Sequence, residues 1–220
     1  GTNLDWMATG TDLRGAPRLG HGRVDIGACE TAFRYVSPGG GHNAPFLTWA
    51  AAATNIQSAL NVSGGGDTLL VSNGVYTLSA PVDVTNCVRM TGVGGAQATV
   101  LRRGGAGSFR VVNLTGYDAV LDGFTVTNGS SSGVAGGVYC GANGLIQNCV
   151  IEGNTAATYG GGAFLAGAGG QLRNCVLRGN RAQANDGGGA YLSQGTVMRS
   201  CLVTTNTAVQ GGGIFAYLGA

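Results

Sequence analysis

Three cysteines and three asparagines keep one step along this chain. Cys149, Cys175 and Cys201 lie 26 residues apart, and Asn154, Asn180 and Asn206 repeat the same interval. Between them recur GGGAF (160–164), GGGAY (187–191) and GGGIF (211–215), with AGGVY (135–139) as a looser copy. The glycine phrases step by 25, 27 and 24 residues, so insertions and deletions fall between them and the cysteine phrases. One copy earlier, LDGFTVTNG (121–129) fits if Phe124 takes the cysteine position, 25 residues before Cys149. A fixed period of this size marks repeat architectures, in which each unit buries its apolar side only against its neighbours.

The content of the unit predicts strands. Cys149 and Ile151 fall on one side of the chain and Val150 and Glu152 on the other; Cys175 and Leu177 alternate with Val176 and Arg178 in the same way. Glycine and β-branched residues disfavour helix, and the leucine spacing of a leucine-rich repeat is absent. The expectation is an all-β parallel solenoid whose coils stack about 4.8 Å apart, so that equivalent side chains form ladders. Composition agrees. The chain holds 43 glycines and only 10% charged residues, against a usual share of about 25%. Its 44% hydrophobic content is ample for a packed core. A net charge of +2 gives no electrostatic ground for a nucleic-acid or acidic-membrane partner. No apolar run reaches the roughly 18 residues that a membrane span needs.

A different pattern precedes the coils. TWAAAATNIQSAL (48–60) places Trp49, Ala52, Ala53, Ile56 and Leu60 on one helical face, with Thr48 as N-cap and Asn61 near the end. An amphipathic helix over 48–62 would cover the apolar end and open strand edges of the first coil. GDTLLVSNGVYTL (66–78), VDVTNCVRM (82–90), ATVLRR (98–103) and FRVVNL (109–114) then read as strands, with Cys87 in the core.

On these residues the chain resembles a family. ATNIQSALNVSGGGDTLLVSNGVYTL (53–78) is similar to the entry of right-handed parallel β-helix proteins of the pectate-lyase-like superfamily, where a cap helix leads into the first coil. The NCVIEGN and GGGAF phrases resemble coils of large bacterial secreted and surface β-helix proteins. TDLRGAPRLGHGRVDIGACE (11–30) resembles the phrase that closes such a module, and YVSPGGGHNAPFLTWAAAATNIQ (35–57) the opening of another. The resemblance therefore implies a module junction. Residues 1–30 are the tail of a preceding β-helix, 31–47 a linker, 48–62 the cap helix, and 63–220 the first part of a β-helix truncated at its C-terminus. It also implies an extracellular or cell-surface location.

Candidate chemistry is sparse. Cys149, Cys175 and Cys201 are expected as an inward ladder of small hydrophobes, since no CxxC pair or zinc-finger spacing occurs. Parallel Cβ vectors would strain a disulfide between rungs. Cys29 and Cys140 are unassigned. Asn154, Asn180 and Asn206 end each strand, where Asn suits left-handed turns and can hydrogen-bond up a ladder. Tyr139, Phe164, Tyr191 and Phe215 are expected as an aromatic core ladder; pointing outward, they would form a sugar-stacking strip. Asp122, Glu152 and Asp186 are the acid or carbohydrate-contact candidates, and they occupy different repeat positions. Asp122 is aligned with Asn148 and Asn174 as a turn or strand-edge acceptor, and Glu152 is expected to meet Arg178 one coil away as an exposed ion pair. His21 and His42 lie in Gly-rich loops without a positioned partner, and GVGGAQ (92–97) lacks a P-loop lysine.

The function expected is that of a structural, adhesive or carbohydrate-contacting scaffold, a monomeric module of a larger chain. Its partner would be a polysaccharide or surface glycan, and no cofactor, metal or catalytic residue is assigned. The alternative is part of a polysaccharide lyase or glycoside hydrolase whose catalytic coils lie beyond residue 220; only there would Ca²⁺ enter.

Overall fold

Two tight bends per repeat break each alternating run into strands that join separate sheets. The computed structural model describes residues 31–141 and 143–217, together with the backbone of two short paired strands at 19–20 and 23–24. The proposed module tail at 1–30 otherwise lies outside the described residues. The first sheet has seven parallel strands in the order Phe33–Val36, Thr68–Val71, Arg89–Gly92, Val120–Asp122, Leu145–Gln147, Gln171–Arg173 and Val197–Arg199. The second stacks Gly74–Leu78, Thr99–Arg103, Thr125–Thr127, Val150–Glu152, Val176–Arg178 and Leu202–Thr204. The third stacks Val82–Val84, Val112–Leu114, Val138–Cys140, Ala163–Leu165, Ala190–Leu192 and Ile214–Ala216. A small fourth sheet joins Ser130–Ser131, Thr155–Ala156 and Arg181–Ala182. After Phe33–Val36, which joins the first sheet alone, each pass of the chain adds one strand to each main sheet. The result is a parallel β-solenoid.

Register carries the sequence period directly into space. Val150 pairs with Val176 and Val176 with Leu202, a step of 26, while Thr125 pairs with Val150 at 25. Phe124 therefore lies under Cys149, and both are buried with Cys175. The interior is filled by columns one residue wide, such as Leu69, Met90, Leu121, Ile146 and Leu172 from the first sheet. The second sheet supplies Leu101, Val126, Ile151 and Leu177. Burial of each such side chain contributes roughly 1.5–3 kcal/mol against chain entropy.

The bends explain the punctuation. Between the first and second sheets, Gly123, Asn148, Asn174 and Ser200 adopt left-handed φ values of 76, 53, 49 and 52°. This is a conformation that Gly and Asn tolerate best. Gly123, not Asp122, thus occupies the Asn148 position, and Asp122 pairs in register with Gln147. A second left-handed column, Asn128, Gly153, Gly179 and Thr205, follows the second sheet. The ladder asparagines are therefore not the left-handed residues. They come one residue later, with Asn154 and Asn180 buried.

The Gly triplet has two separate causes. Its first residue is left-handed (Gly160, Gly187 and Gly211, with Ala135 in the looser copy). Its third faces the next coil's backbone: a Cβ on Gly162 would lie 2.5 Å from the carbonyl oxygen of Gly189, and one on Gly189 2.5 Å from that of Gly213.

The N-terminal end is closed differently from the expectation. The helix α1 spans only Ile56–Asn61, and Asn55 rather than Thr48 is its N-cap, accepting from the Ser58 amide. Residues 50–53 pair instead with the strand and loop over 35–43, through His42 N–H to Ala52 O, Ala53 N–H to Tyr35 O and the Val36–Ala53 bridge. Ile56, Ala59 and Leu60 nevertheless pack into the core cluster. Gln57 caps the free edge of Val82–Val84, its Oε1 accepting from Asp83 N–H at 2.9 Å. Beneath Leu69 in the inward column sits Arg34, fully buried, donating Nε–H to Asp67 at 2.9 Å and Nη1–H to Pro45 O at 2.7 Å. VDVTNCVRM is not one strand but two, in different sheets, and Cys87 lies in the exposed turn between them rather than in the core. Among the described residues no helix is long and apolar enough to cross a membrane.

Candidate functional site

Parity decides what the third sheet shows to solvent. Val138 and Cys140, Ala163 and Leu165, and Ala190 and Leu192 are buried, so the residue between each pair faces outward. Those residues are Tyr139, Phe164 and Tyr191, with Phe215 in register above them. The aromatic ladder thus lies on the outer wall, and the core ladder expected from sequence is overturned. The apolar columns inside are supplied by the smaller neighbours.

The rings stack in parallel up the wall. Tyr139 and Phe164 have centroids 5.9 Å apart at 7°, Phe164 and Tyr191 4.9 Å at 8°, and Tyr191 and Phe215 5.4 Å at 19°. Each inner ring has both faces covered by neighbours, so the row presents ring edges and two phenol hydroxyls. Tyr159 meets Tyr191 at 5.0 Å and 65°.

Polar groups frame the strip. Below Tyr139 the same outward column continues as Asn113 and Asp83, joined by a hydrogen bond from Asn113 Nδ2 to Asp83 Oδ1 at 2.6 Å. The Arg110 guanidinium lies 5.1 Å from the Tyr139 centroid, closing the lowest ring face. Burial lowers its pKa, and nearby Tyr139 and Asp83 oppose that shift. Beside the foot, Gln57, Asn61, Asp83, Thr85 and Asn86 line a polar hollow under α1. Alongside the upper rings Asp186 bridges to Gln210, and its carbonyl accepts from Gly160 N–H next to Tyr159. The Tyr191 phenol is pushed up, first by burial and then by Tyr159, Tyr217 and Asp186.

The three acidic candidates are not brought together. Asp122 is on the first sheet, accepting from Arg89 Nη1 at 3.0 Å, Gln147 Nε2 at 2.7 Å and Asn148 Nδ2 at 2.7 Å. These donors occupy its oxygens, so as it stands it is a poor ligand for a hard cation. Glu152 is on the second sheet in an exposed ion pair with Arg178 at 2.6 Å. Asp186 alone borders the aromatic strip. Among the described residues no three His, Cys, Asp or Glu side chains gather to hold a metal.

The ladder residues are internal. Cys149, Cys175 and Cys201 are free thiols; Cys149 and Cys175 are buried and Cys201, in the last described coil, is partly exposed. Cys175 Sγ donates to Arg173 O at 3.1 Å. Its pKa is pushed up to about 12, first by its thiol hydrogen bond with Cys149, with burial adding to the rise. Cys140, on the third sheet, is buried too and burial raises it to about 12. Cys29 lies outside the described residues. Asn154, Asn180 and Asn206 bond amide to amide up the interior. His42 accepts from Thr54 N–H at 3.0 Å through Nδ1 and stands against Phe46, away from the strip. His21 lies outside the described residues.

No protein-family model and no curated protein matches this chain. Among solved structures it is similar to the crystal structure of pectate lyase Pel9A, at 16% identity and a TM-score of 0.59. That match covers 81% of this chain and 49% of the other, so the chain spans about half of its length. A pectin methylesterase in complex with a hexasaccharide matches at 11% identity and a TM-score of 0.42, over 75% of this chain and 56% of that one. The fold is a parallel β-helix like that of the pectate lyase.

Proposed function

We propose that the chain is a segment of an extracellular β-helix scaffold that contacts carbohydrate along the outer wall of its third sheet. The observation that carries this reading is the outward row Tyr139, Phe164, Tyr191 and Phe215. Outward positions of a solvated wall ordinarily go to polar residues, and four aromatic rings in register there are an apolar ridge with a use. Sugar rings have apolar C–H edges and polar hydroxyl rims. A ridge of ring edges, phenol hydroxyls, and Asn and Asp side chains complements both. Asp122 and Glu152 do not form a hydrolytic pair, because each is engaged on a separate sheet while hydrolysis of a glycoside draws on two carboxylates across one bond. The test is retention of the folded chain on immobilised polysaccharides, compared with Phe164→Ala and Tyr191→Ala. Loss of retention in both variants with unchanged circular dichroism is the expected outcome. Retention that ignores both substitutions would remove the proposal.

A further inference from the structure

Resting on that carbohydrate reading, we infer that the strip selects neutral glycans and rejects polyuronates, with Asp186 as the residue that sets the choice. The charges along the wall carry the argument. Two carboxylates border the rings, Asp83 at the foot and Asp186 beside Tyr159 and Tyr191. Among the described residues, the guanidinium on the strip is that of Arg110, committed to the face of Tyr139 and to the neighbourhood of Asp83. The Asp186 carboxylate has no hydrogen-bond donor or cationic partner among the described side chains, and burial favours the protonated form of the nearby Tyr191 phenol. The cationic surface lies elsewhere: Arg173 and Arg199 are in register on the first sheet, Arg102 and Arg178 on the second, and Arg181 is exposed on the small fourth sheet.

A sugar polymer laid on the rings passes Asp186. A hydroxyl arriving there donates to the carboxylate, a charge-assisted hydrogen bond stronger than one between neutral groups. A uronate arriving there brings a second negative charge to a wall where the described residues offer no free cation, so the same residue attracts one class and repels the other. Tyr159 and Tyr191 then add hydroxyls that both donate and accept, which suits vicinal diols.

The experiment measures binding of the whole chain to xylo-, manno-, gluco- and galacto-oligosaccharides and to oligogalacturonate, each with and without Ca²⁺. It includes Tyr191→Ala, Asp186→Asn and Asp186→Arg, all checked for folding by circular dichroism. The expected result is binding of at least one neutral series, lost in Tyr191→Ala and weakened about tenfold in Asp186→Asn. Asp186→Arg is expected to gain oligogalacturonate binding, an outcome that misfolding does not produce. Oligogalacturonate binding by the unaltered chain, abolished in Tyr191→Ala, leaves the carbohydrate reading standing and overturns this inference. An Asp186→Arg chain that still rejects oligogalacturonate overturns it as well. Binding of no glycan, or binding indifferent to Tyr191, removes both.

Discussion

Asn154 and Asn180, 26 residues apart in sequence, share a buried hydrogen bond in which Nδ2–H of the first donates to Oδ1 of the second at 3.1 Å. Asn180 Nδ2 in turn donates to Ile151 O at 2.8 Å and to Asn206 Oδ1 at 3.0 Å. Its Oδ1 also accepts from Asn154 N–H at 3.1 Å. One amide thus satisfies backbone and side-chain groups of two coils. Asn180→Ala strands several of these in the interior and is expected to cost about 3 kcal/mol, read as a lower urea midpoint. A loss below about 1 kcal/mol would mean that water replaces the amide without penalty.

The third glycine of the triplet is a contact residue. Gly162→Ala puts a methyl against the Gly189 carbonyl and is expected to destabilise by about 2 kcal/mol or more. Gly133, where an added Cβ meets nothing within 4 Å, is the control: Gly133→Ala is expected to change thermal stability little. Equal effects at the two sites would contradict backbone contact as the cause.

Asp67 holds the base of the solenoid. Besides Arg34 it accepts from Ala32 N–H and Gly64 N–H, both at 2.9 Å. Asp67→Asn leaves the Arg34 charge buried without its partner and is expected to cost about 3–5 kcal/mol. Amide exchange separates a local from a global effect, with protection at Ala32 and Gly64 falling first.

The thiols give the chain an alkaline limit. Burial raises the Cys140 pKa from 9.0 to about 12. The folded state therefore holds its proton where the unfolded state has lost it. With fewer protons bound in the unfolded state, stability falls as pH rises. This contribution is present in full below pH 9 and is lost progressively towards pH 12, up to about 4 kcal/mol for that thiol. Urea midpoints between pH 8 and 10.5 should decline, and Cys140→Ala should flatten the decline. Over the same range Cys87, exposed in its turn, should be alkylated before Cys140 and Cys175, which react only on unfolding.

Glu152 and Arg178 look strong at 2.6 Å but are half-exposed, so the pair should contribute little. A double-mutant cycle is expected to give a coupling of no more than about 1 kcal/mol, diminishing with salt. A larger coupling would show that the wall excludes water there.

What was legible in the sequence is what translates along the solenoid axis. A 26-residue step survives as a column because parallel pairing adds one rung per coil, so the Cys149–Cys175–Cys201 and Glu152–Arg178 alignments follow from counting. Sidedness was harder. GGGAF offers no hint that Ala163 is inside and Phe164 outside, because a small inward residue beside a large apolar ring hides the parity. VDVTNCVRM concealed a change of sheet between Val84 and Arg89, and with it the exposure of Cys87. The alanines at 50–53 have helical propensity, yet strand-like pairing with residues 35–43 overrides it. Asp186 stood out only as an isolated acid, since its neighbour Tyr159 belongs to the previous coil.

The stacked rings have a spacing that no side chain chooses. Their pitch is imposed by the hydrogen bonds between coils, so the wall behaves as a ruler whose graduations are peptide groups. Adding or deleting a whole coil changes the number of contact points without altering any one of them. Grip on a polymer can then be tuned by repeat number, as valency rather than as affinity.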